Sequence, residues 1–414
     1  MNATKIPATA VAVATYVVVA GIFTQGGVIL EPAAAHYHVS LAEAASLFSS
    51  ASAGNLAGIV LSTLIFAVFS IRRILIGAYL ALFAGVATIV LTPHISVAYG
   101  AMFVIGLGVG TGLSAGAVIL AKLYVDRARA VAFLSTDCAF SGTGFVIPAV
   151  AAALIAAGWI WQSGYLIVAA IALVALVAAL IVPLPATTGP RAAVDVTLEP
   201  RRPRAFLTIG LFAAGITAYL TGQTSFTLWA PTVLHDVFHL GSLQAGGIVS
   251  SFFGPSSLGL VTAALVVSRV PPRAVLLFAL GMGVALSLTL ALVANAHVFF
   301  LVTFAFGFTT TCMFKIMISI GSEQLPGSPP SLVTFLLLCS GIGSTIAPLL
   351  SGYVVKTAGL HASLWCAFAF HTATAAIVIA ALLNEALAKR DVQRRRSPRP
   401  ARDHDAESGS PMSA

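Results

Sequence analysis

The chain has 414 residues, of which 59% are hydrophobic and only 8% charged, and its formal net charge is +8. A soluble globular chain carries roughly 25% charged residues, so a water-covered surface of this size is excluded; lipid is the solvent that accepts the apolar excess. The Lys and Arg lie in short clusters between apolar runs and in the tail, not interleaved with aromatics. That excludes a nucleic-acid surface and matches membrane topology signals.

A window of about 20 apolar residues per crossing predicts twelve spans: 8–30, 45–69, 74–92, 97–121, 131–157, 164–185, 206–230, 244–267, 274–294, 297–320, 332–356 and 363–387. The first follows a single cation, Lys5, and is longer than a signal-peptide core of roughly 7–15 residues, so it reads as an uncleaved span. Thr24 and Gln25 lie in it, and Glu31 and Glu43 flank the loop that follows. The fourth span carries GLGVGTGLSAG (Gly106–Gly116). A phosphate-cradling loop would need a strand–loop–helix setting and a Lys-Ser/Thr ending; small residues at this spacing instead let helices pack closely. Thr111 and Ser114 are cavity-facing candidates there.

The fifth span holds Asp137 and the run Gly142, Gly144, Pro148. Residues 186–205 are rich in Pro and Arg without a periodic apolar face, and divide the spans six and six. The expected organisation is an N-terminal six-helix bundle (1–185), a cytoplasmic linker (186–205), a C-terminal six-helix bundle (206–388) and a polar, disordered cytoplasmic tail (389–414). In the second half, span 7 carries Tyr219, Gln223, Thr224 and Thr227, span 10 carries Lys315, and span 11 carries Gly341, Gly343 and Pro348. Cys138, Cys312, Cys339 and Cys366 all lie in apolar runs without metal-ligand or disulfide spacing. They read as small core residues, and no metal or cofactor is expected.

With twelve crossings both termini share one side. Of the 21 Lys and Arg, 19 fall on that side; Lys356 lies opposite and Lys315 within a span. The positive-inside rule places both termini in the cytoplasm. Seven of the nine histidines (His36, His38, His94, His235, His239, His297 and His361) fall on the other face. They read as headgroup-boundary residues or as a pH-sensitive, metal-attracting rim. His371, in span 12, reads as a satisfied structural residue.

The halves align with an offset of about 199 residues. Gln25 and Pro32 match Gln223 and Pro231, Arg72 and Arg73 match Arg269 and Arg273, and His94 matches His297. Ser141–Pro148 (SGTGFVIP) matches Ser340–Pro348 (SGIGSTIAP). Parallel six-helix repeats are the plan of transporters whose site lies at the midplane between halves.

Asp137 and Lys315 stand at matching depths from the basic face, and a mid-helix charge costs roughly 2.5–3.5 kcal/mol to insert. They are expected to pair across the halves as a coupling or gating device. The alternatives are a local pair of Asp137 with Arg127 or Lys122, and snorkelling of Lys315. Gln25 and Gln223, at equivalent places, suit a neutral polar or zwitterionic solute or else hold the bundle by interhelical hydrogen bonds. Thr24, Tyr219, Thr224 and Thr227 are secondary candidates. Gly142, Gly144, Pro148, Gly341, Gly343 and Pro348 read as hinges or static kinks.

Leu134–Pro148 (LSTDCAFSGTGFVIP) and Ile318–Gly352 (ISIGSEQLPGSPPSLVTFLLLCSGIGSTIAPLLSG) resemble the corresponding stretches of TsgA-type transporters of the major facilitator superfamily, which are similar to its fucose/proton symporter branch. The resemblance covers nearly all of residues 8–387. It implies the fold, an inner-membrane location and secondary transport. Symporters of that branch carry acids in spans 1 and 4; here span 1 has Gln25 and span 4 has none, so their proton site does not carry over. The loop Phe69–Leu75 (FSIRRIL) also lacks the superfamily's usual Gly and Asp.

The expected function is alternating-access transport of a small polar solute by a monomer, coupled to a proton or other ion. Efflux of amphipathic compounds and a non-transporting sensor are the alternatives. No His-Glu-x-x-His helix, nucleophile elbow or nucleotide-hydrolysing motif is present, so no enzyme is expected.

Overall fold

The computed structural model describes residues 5–66, 68–124, 126–185, 203–325 and 330–396. Among these residues the regular structure is entirely helical. In the first half run α1 (Lys5–Thr24), α2 (Gly26–Tyr37), α3 (Leu41–Ile65), α4 (Ile71–Leu91), α5 (Ile95–Leu123), α6 (Asp126–Ala156) and α7 (Ser163–Ile181). The second half has α8 (Pro203–Asp236), α9 (Ser242–Val267), α10 (Pro272–Leu292), α11 (Ala296–Ser322), α12 (Pro330–Ala358) and α13 (Ala362–Arg396). Twelve of these are long and apolar enough to cross a membrane; α2 continues the first crossing.

Local sequence sets the helix ends. Ser40 caps α3 by accepting the Glu43 N–H at 3.2 Å, and Asn295 caps α11 by accepting from His297 and Val298 at 2.9 and 3.2 Å. Such caps satisfy amides that have no partner within the helix. Asn295 therefore turns the chain between α10 and α11 with almost no loop.

Several boundaries differ from the sequence expectation, among them the end of α8 at Asp236, six residues past the expected 230. The first span extends to Tyr37 and breaks at Gln25. α6 starts at Asp126, ahead of the expected 131. α8 starts at Pro203, inside the expected linker, because Pro is tolerated in a helix's first turn. α13 runs on to Arg396, past the expected start of the tail. The remainder of the linker and of the tail lies outside the described residues.

The two halves repeat in their packing. The neighbours α1/α6, α1/α7, α3/α5, α4/α5 and α4/α7 recur as α8/α12, α8/α13, α9/α11, α10/α11 and α10/α13. The backbone repeats too. Among the described residues, positive φ occurs at His38 (55°) and His239 (56°), which follow α2 and α8, and at Gly158 (83°) and Gly359 (85°), which follow α6 and α12. Histidine is among the few non-glycine types enriched in this region. The architecture is thus two six-span bundles related by a parallel pseudo-twofold repeat.

One hydrophobic core fills the N-terminal half and two fill the C-terminal half. A fourth, with Leu30, Ala34, Leu228 and Trp229, crosses between halves. The halves meet along α3/α12 and α6/α9, and additionally along α2/α8. The membrane face with the starts of α1, α4 and α8 is termed the basic face; that with the ends of α2 and α8, the opposite face.

Candidate translocation path and gates

The seam at the opposite face is closed by backbone. A Cβ placed on Gly27 of α2 would collide with the Thr227 carbonyl of α8 and come within 2.9 Å of the Leu228 carbonyl. Along α6/α9, the space over Gly144 is filled by the Phe253 ring, 2.7 Å from where a methyl on that glycine would lie, and Ser250 donates to the Phe145 carbonyl at 2.6 Å. Along α12/α3, Gly341 faces Leu56 and Gly352 faces Ala42.

At the end of this seam Glu31 of α2 meets His235 and Asp236 of α8. His235 Nδ1 is 3.2 Å from Glu31 Oε2 and 2.9 Å from Asp236 Oδ1. The second Glu31 oxygen, Oε1, is buried without a hydrogen-bond partner.

Toward the basic face a single described ion pair joins the halves: Lys315 Nζ of α11 lies 2.9 Å from Asp137 Oδ1 of α6. Their side chains are 44% and 21% exposed, so the pair is not sealed away. Tyr16 of α1 packs beside Thr136 and Asp137, and Lys315 also lies over the Phe314 ring, 5.2 Å from its centroid.

The remaining candidates separate into two groups. Gln25 is fully buried; its Nε2 donates to the Gly21 carbonyl at 2.9 Å, and its Oε1 presses on Gly164 of α7 without a hydrogen-bond partner. Thr24 is buried and bonds back to Ala20 at 2.8 Å. Tyr219 is buried and donates to the Thr310 carbonyl at 3.0 Å. Thr111 is buried where α5 packs on Gly58 of α3. Gln25, Tyr219 and Thr111 are thus engaged with neighbours in their own halves, and Thr24 with its own helix. Gln223, Thr224, Thr227 and Ser114 are half-buried instead. Thr227 and Ser114 bond back to Gln223 (3.1 Å) and Gly110 (3.0 Å). The symmetry that equated Gln25 with Gln223 in sequence therefore ends at their surroundings: the break between α1 and α2 turns Gln25 toward α7, whereas α8 is continuous at Gln223.

Of the hinge candidates, Pro148 and Pro348 lie inside the continuous helices α6 and α12. Gly144 and Gly343 are packed against Phe253 and the Thr217 carbonyl, Gly341 against Leu56, and a methyl on Gly142 would meet open space.

Several residues were not singled out as site groups by the sequence. Asn55 of α3 has a buried, unpaired Oδ1 and a backbone that Gly106 and Gly110 touch. Glu385 is buried and bonded bidentately by Arg273 at 2.6 and 3.1 Å, with Glu323 at 3.6 Å from the same guanidinium. Its signal was a carboxylate two residues inside the expected end of the last span. His371, expected to be satisfied, is only half so. Nδ1 donates to the Ala367 carbonyl at 2.8 Å, while Nε2 is buried with no partner between Tyr219 and Phe306.

Two similar bundles, in contact along paired helices and joined by different groups at their two ends, define a membrane protein of the two-bundle transporter class. The sequence of residues 11–337 matches the family model described as Major Facilitator Superfamily. The chain belongs to this superfamily, a family of transporters rather than enzymes. It is similar to the Protein TsgA homolog of Erwinia tasmaniensis, with 25% identity over 363 residues, covering 88% of this chain and 91% of that one. The Protein TsgA homolog of Edwardsiella ictaluri is 23% identical over 352 residues, covering 84% and 88%. Among solved structures, a D-xylose-proton symporter superposes with a TM-score of 0.74 at 17% identity, covering 92% of this chain and 97% of that one. The nucleoside transporter NupG superposes at 0.71 and 12% identity, covering 93% and 99%.

Proposed function

We propose that this protein is a monomeric secondary active transporter of a small, neutral polar solute of the sugar or nucleoside class. The two halves rock about the α3/α12 and α6/α9 contacts and expose a midplane site to each side in turn. The observation that carries the reading is the Asp137–Lys315 pair, a charged tie between the halves toward the basic face, where a crevice must open. Protonation of Asp137 removes the attraction to Lys315 and frees the basic face, which couples movement to protons. The cation count supports a cytoplasmic position for that face. Gln223 and Thr224, half-buried on the central helix α8, offer donors and acceptors to the solute, and Ser114 of α5, likewise half-buried, is a further candidate. Gln25, Thr24, Thr111, Tyr219 and Thr227 support the walls. Pro148 and Pro348 leave the Gly144 and Ser344 carbonyls without helical donors, and the helices bend there during rocking. The fold shared with the xylose–proton symporter and NupG supports the choice of substrate class.

Purified protein in liposomes is tested for uptake of labelled pentoses, hexoses and nucleosides with and without an inward proton gradient. At least one accumulates above equilibrium only with the gradient. Asp137→Asn abolishes that accumulation but retains exchange, and the double change Asp137→Lys with Lys315→Asp recovers activity that Asp137→Lys alone loses. Accumulation by Asp137→Asn at the wild-type level would overturn the coupling role. Failure of every solute to move would overturn the substrate class.

A further inference from the structure

The group formed by Glu31, His235 and Asp236 takes no part in the mechanism above, yet it stands where the two halves close at the opposite face. The three residues offer one imidazole nitrogen and two carboxylate oxygens, all within 4.8 Å of one another. Two of the separations, 3.2 Å and 2.9 Å, are hydrogen-bond lengths that fall short of the roughly 3.3–3.6 Å between ligands at tetrahedral angles around zinc with bonds of about 2.0–2.2 Å, so a small outward shift of the side chains admits the ion. Beside the group is a void of about 40 Å³, lined by Glu31 and His235 together with Gly27, Pro231 and Ser242. Holding one water takes roughly 10–15 Å³, so the void has room for the water that completes a coordination shell. Glu31 Oε1 is itself shielded from water, near the Thr232 hydroxyl, and a carboxylate oxygen so placed is stabilised further by a positive ligand.

We infer that Glu31, His235 and Asp236 form a site for a divalent transition-metal ion of the zinc class, which clamps α2 to α8 and holds the opposite face shut. Mixed imidazole and carboxylate donors suit zinc, nickel and copper better than magnesium or calcium, which prefer all-oxygen shells. On binding, the ring proton of the neutral imidazole is carried on His235 Nε2, so that the Nδ1 lone pair faces the metal in place of a hydrogen bond to the carboxylates. Because Glu31 comes from one half and the other two ligands from the second, the ion has its full set of ligands only while the seam is closed. A ligand that binds one state better shifts the balance toward it. Zinc on that side is therefore an inhibitor that arrests the cycle.

The test is zinc titration of the full-length protein in nanodiscs by calorimetry, with spin labels at Ala35→Cys and Val237→Cys, in a background lacking native cysteines, reporting the gap between α2 and α8. The wild-type chain takes up one zinc ion tightly, and the label distance distribution narrows to its short component. Glu31→Gln, His235→Gln and Asp236→Asn each weaken the site at least tenfold and abolish the narrowing. Asp236 is on the surface, so its variant keeps the test valid should Glu31→Gln fold poorly. Undiminished binding in all three variants would assign the metal to the other surface histidines, and absence of tight binding to wild type would equally overturn the site. Neither readout depends on transport, so a failure here is separate from a failure of the transport reading.

Discussion

Gln25 carries a primary amide into a position with no exposed surface, and only half of that amide is paired. Its neighbour Gly164 has no Cβ because the Gln25 oxygen occupies that space. Gly164→Ala is expected to destabilise the chain by about 1–3 kcal/mol, the usual cost of overfilling a packed site. Gln25→Ala in the same chain recovers most of the loss, and unfolding in detergent followed by circular dichroism measures both. No recovery would show that Gly164 matters for some other reason. In sequence, Gln25 and Gln223 look equivalent, because spacing reports position along a helix but not the direction a side chain takes after a break. Asp137 and Lys315 were legible for the opposite reason. A charge inside an apolar span is costly wherever it points, so composition alone marks it, and matching depth suggests its partner.

At the scale of elements, glycine decides which helices approach. The glycines of α5 that the sequence assigned to close packing do pack, with Gly106 and Gly110 against the backbone of Ala51 and Asn55 in α3. The pattern showed that a neighbour would come near, but not which one, since small residues carry no address. Gly27 differs in lying against the other half. Gly27→Ala is expected to impede closure of α2 on α8. A penalty of about 1–3 kcal/mol shifts a balanced equilibrium about 5- to 150-fold toward the open seam. The label pair at positions 35 and 237 would then favour the long distance. Gly259→Ala is the matched control: it meets the Phe308 carbonyl within one half and should lower thermal stability without moving that distribution. Equal distributions for Gly27→Ala and wild type would contradict the assignment of Gly27 to the moving seam. The ends of elements were less legible than their centres. Continuation of α13 to Arg396 and the start of α8 at Pro203 depend on polar residues that hydropathy counts as loop.

For the whole molecule, the count of crossings, their division into halves and the repeat were all readable, because lipid imposes length and apolarity on every span. The repeat extends to residues that no sequence match had paired, such as Gly158 and Gly359. Orientation follows from charge rather than shape. A phosphatase reporter, active only outside the cytoplasm, is expected to be silent when fused at residue 190 and active when fused after residue 160. Activity at 190 would reverse the sidedness of every gate described above.

The duplication is nevertheless uneven at the basic face. In the C-terminal half Arg273 clasps Glu385 of α13 with two hydrogen bonds and draws in Glu323 at the end of α11. At the matching place in the N-terminal half, Arg72 donates to the Val182 carbonyl at 2.9 Å. One wall is thus bolted at its foot across three helices by opposite charges, whereas the contact of Arg72 in the other is to a neutral carbonyl. A load applied at this end of the molecule is therefore expected to displace the wall under Arg72 before the wall under Arg273.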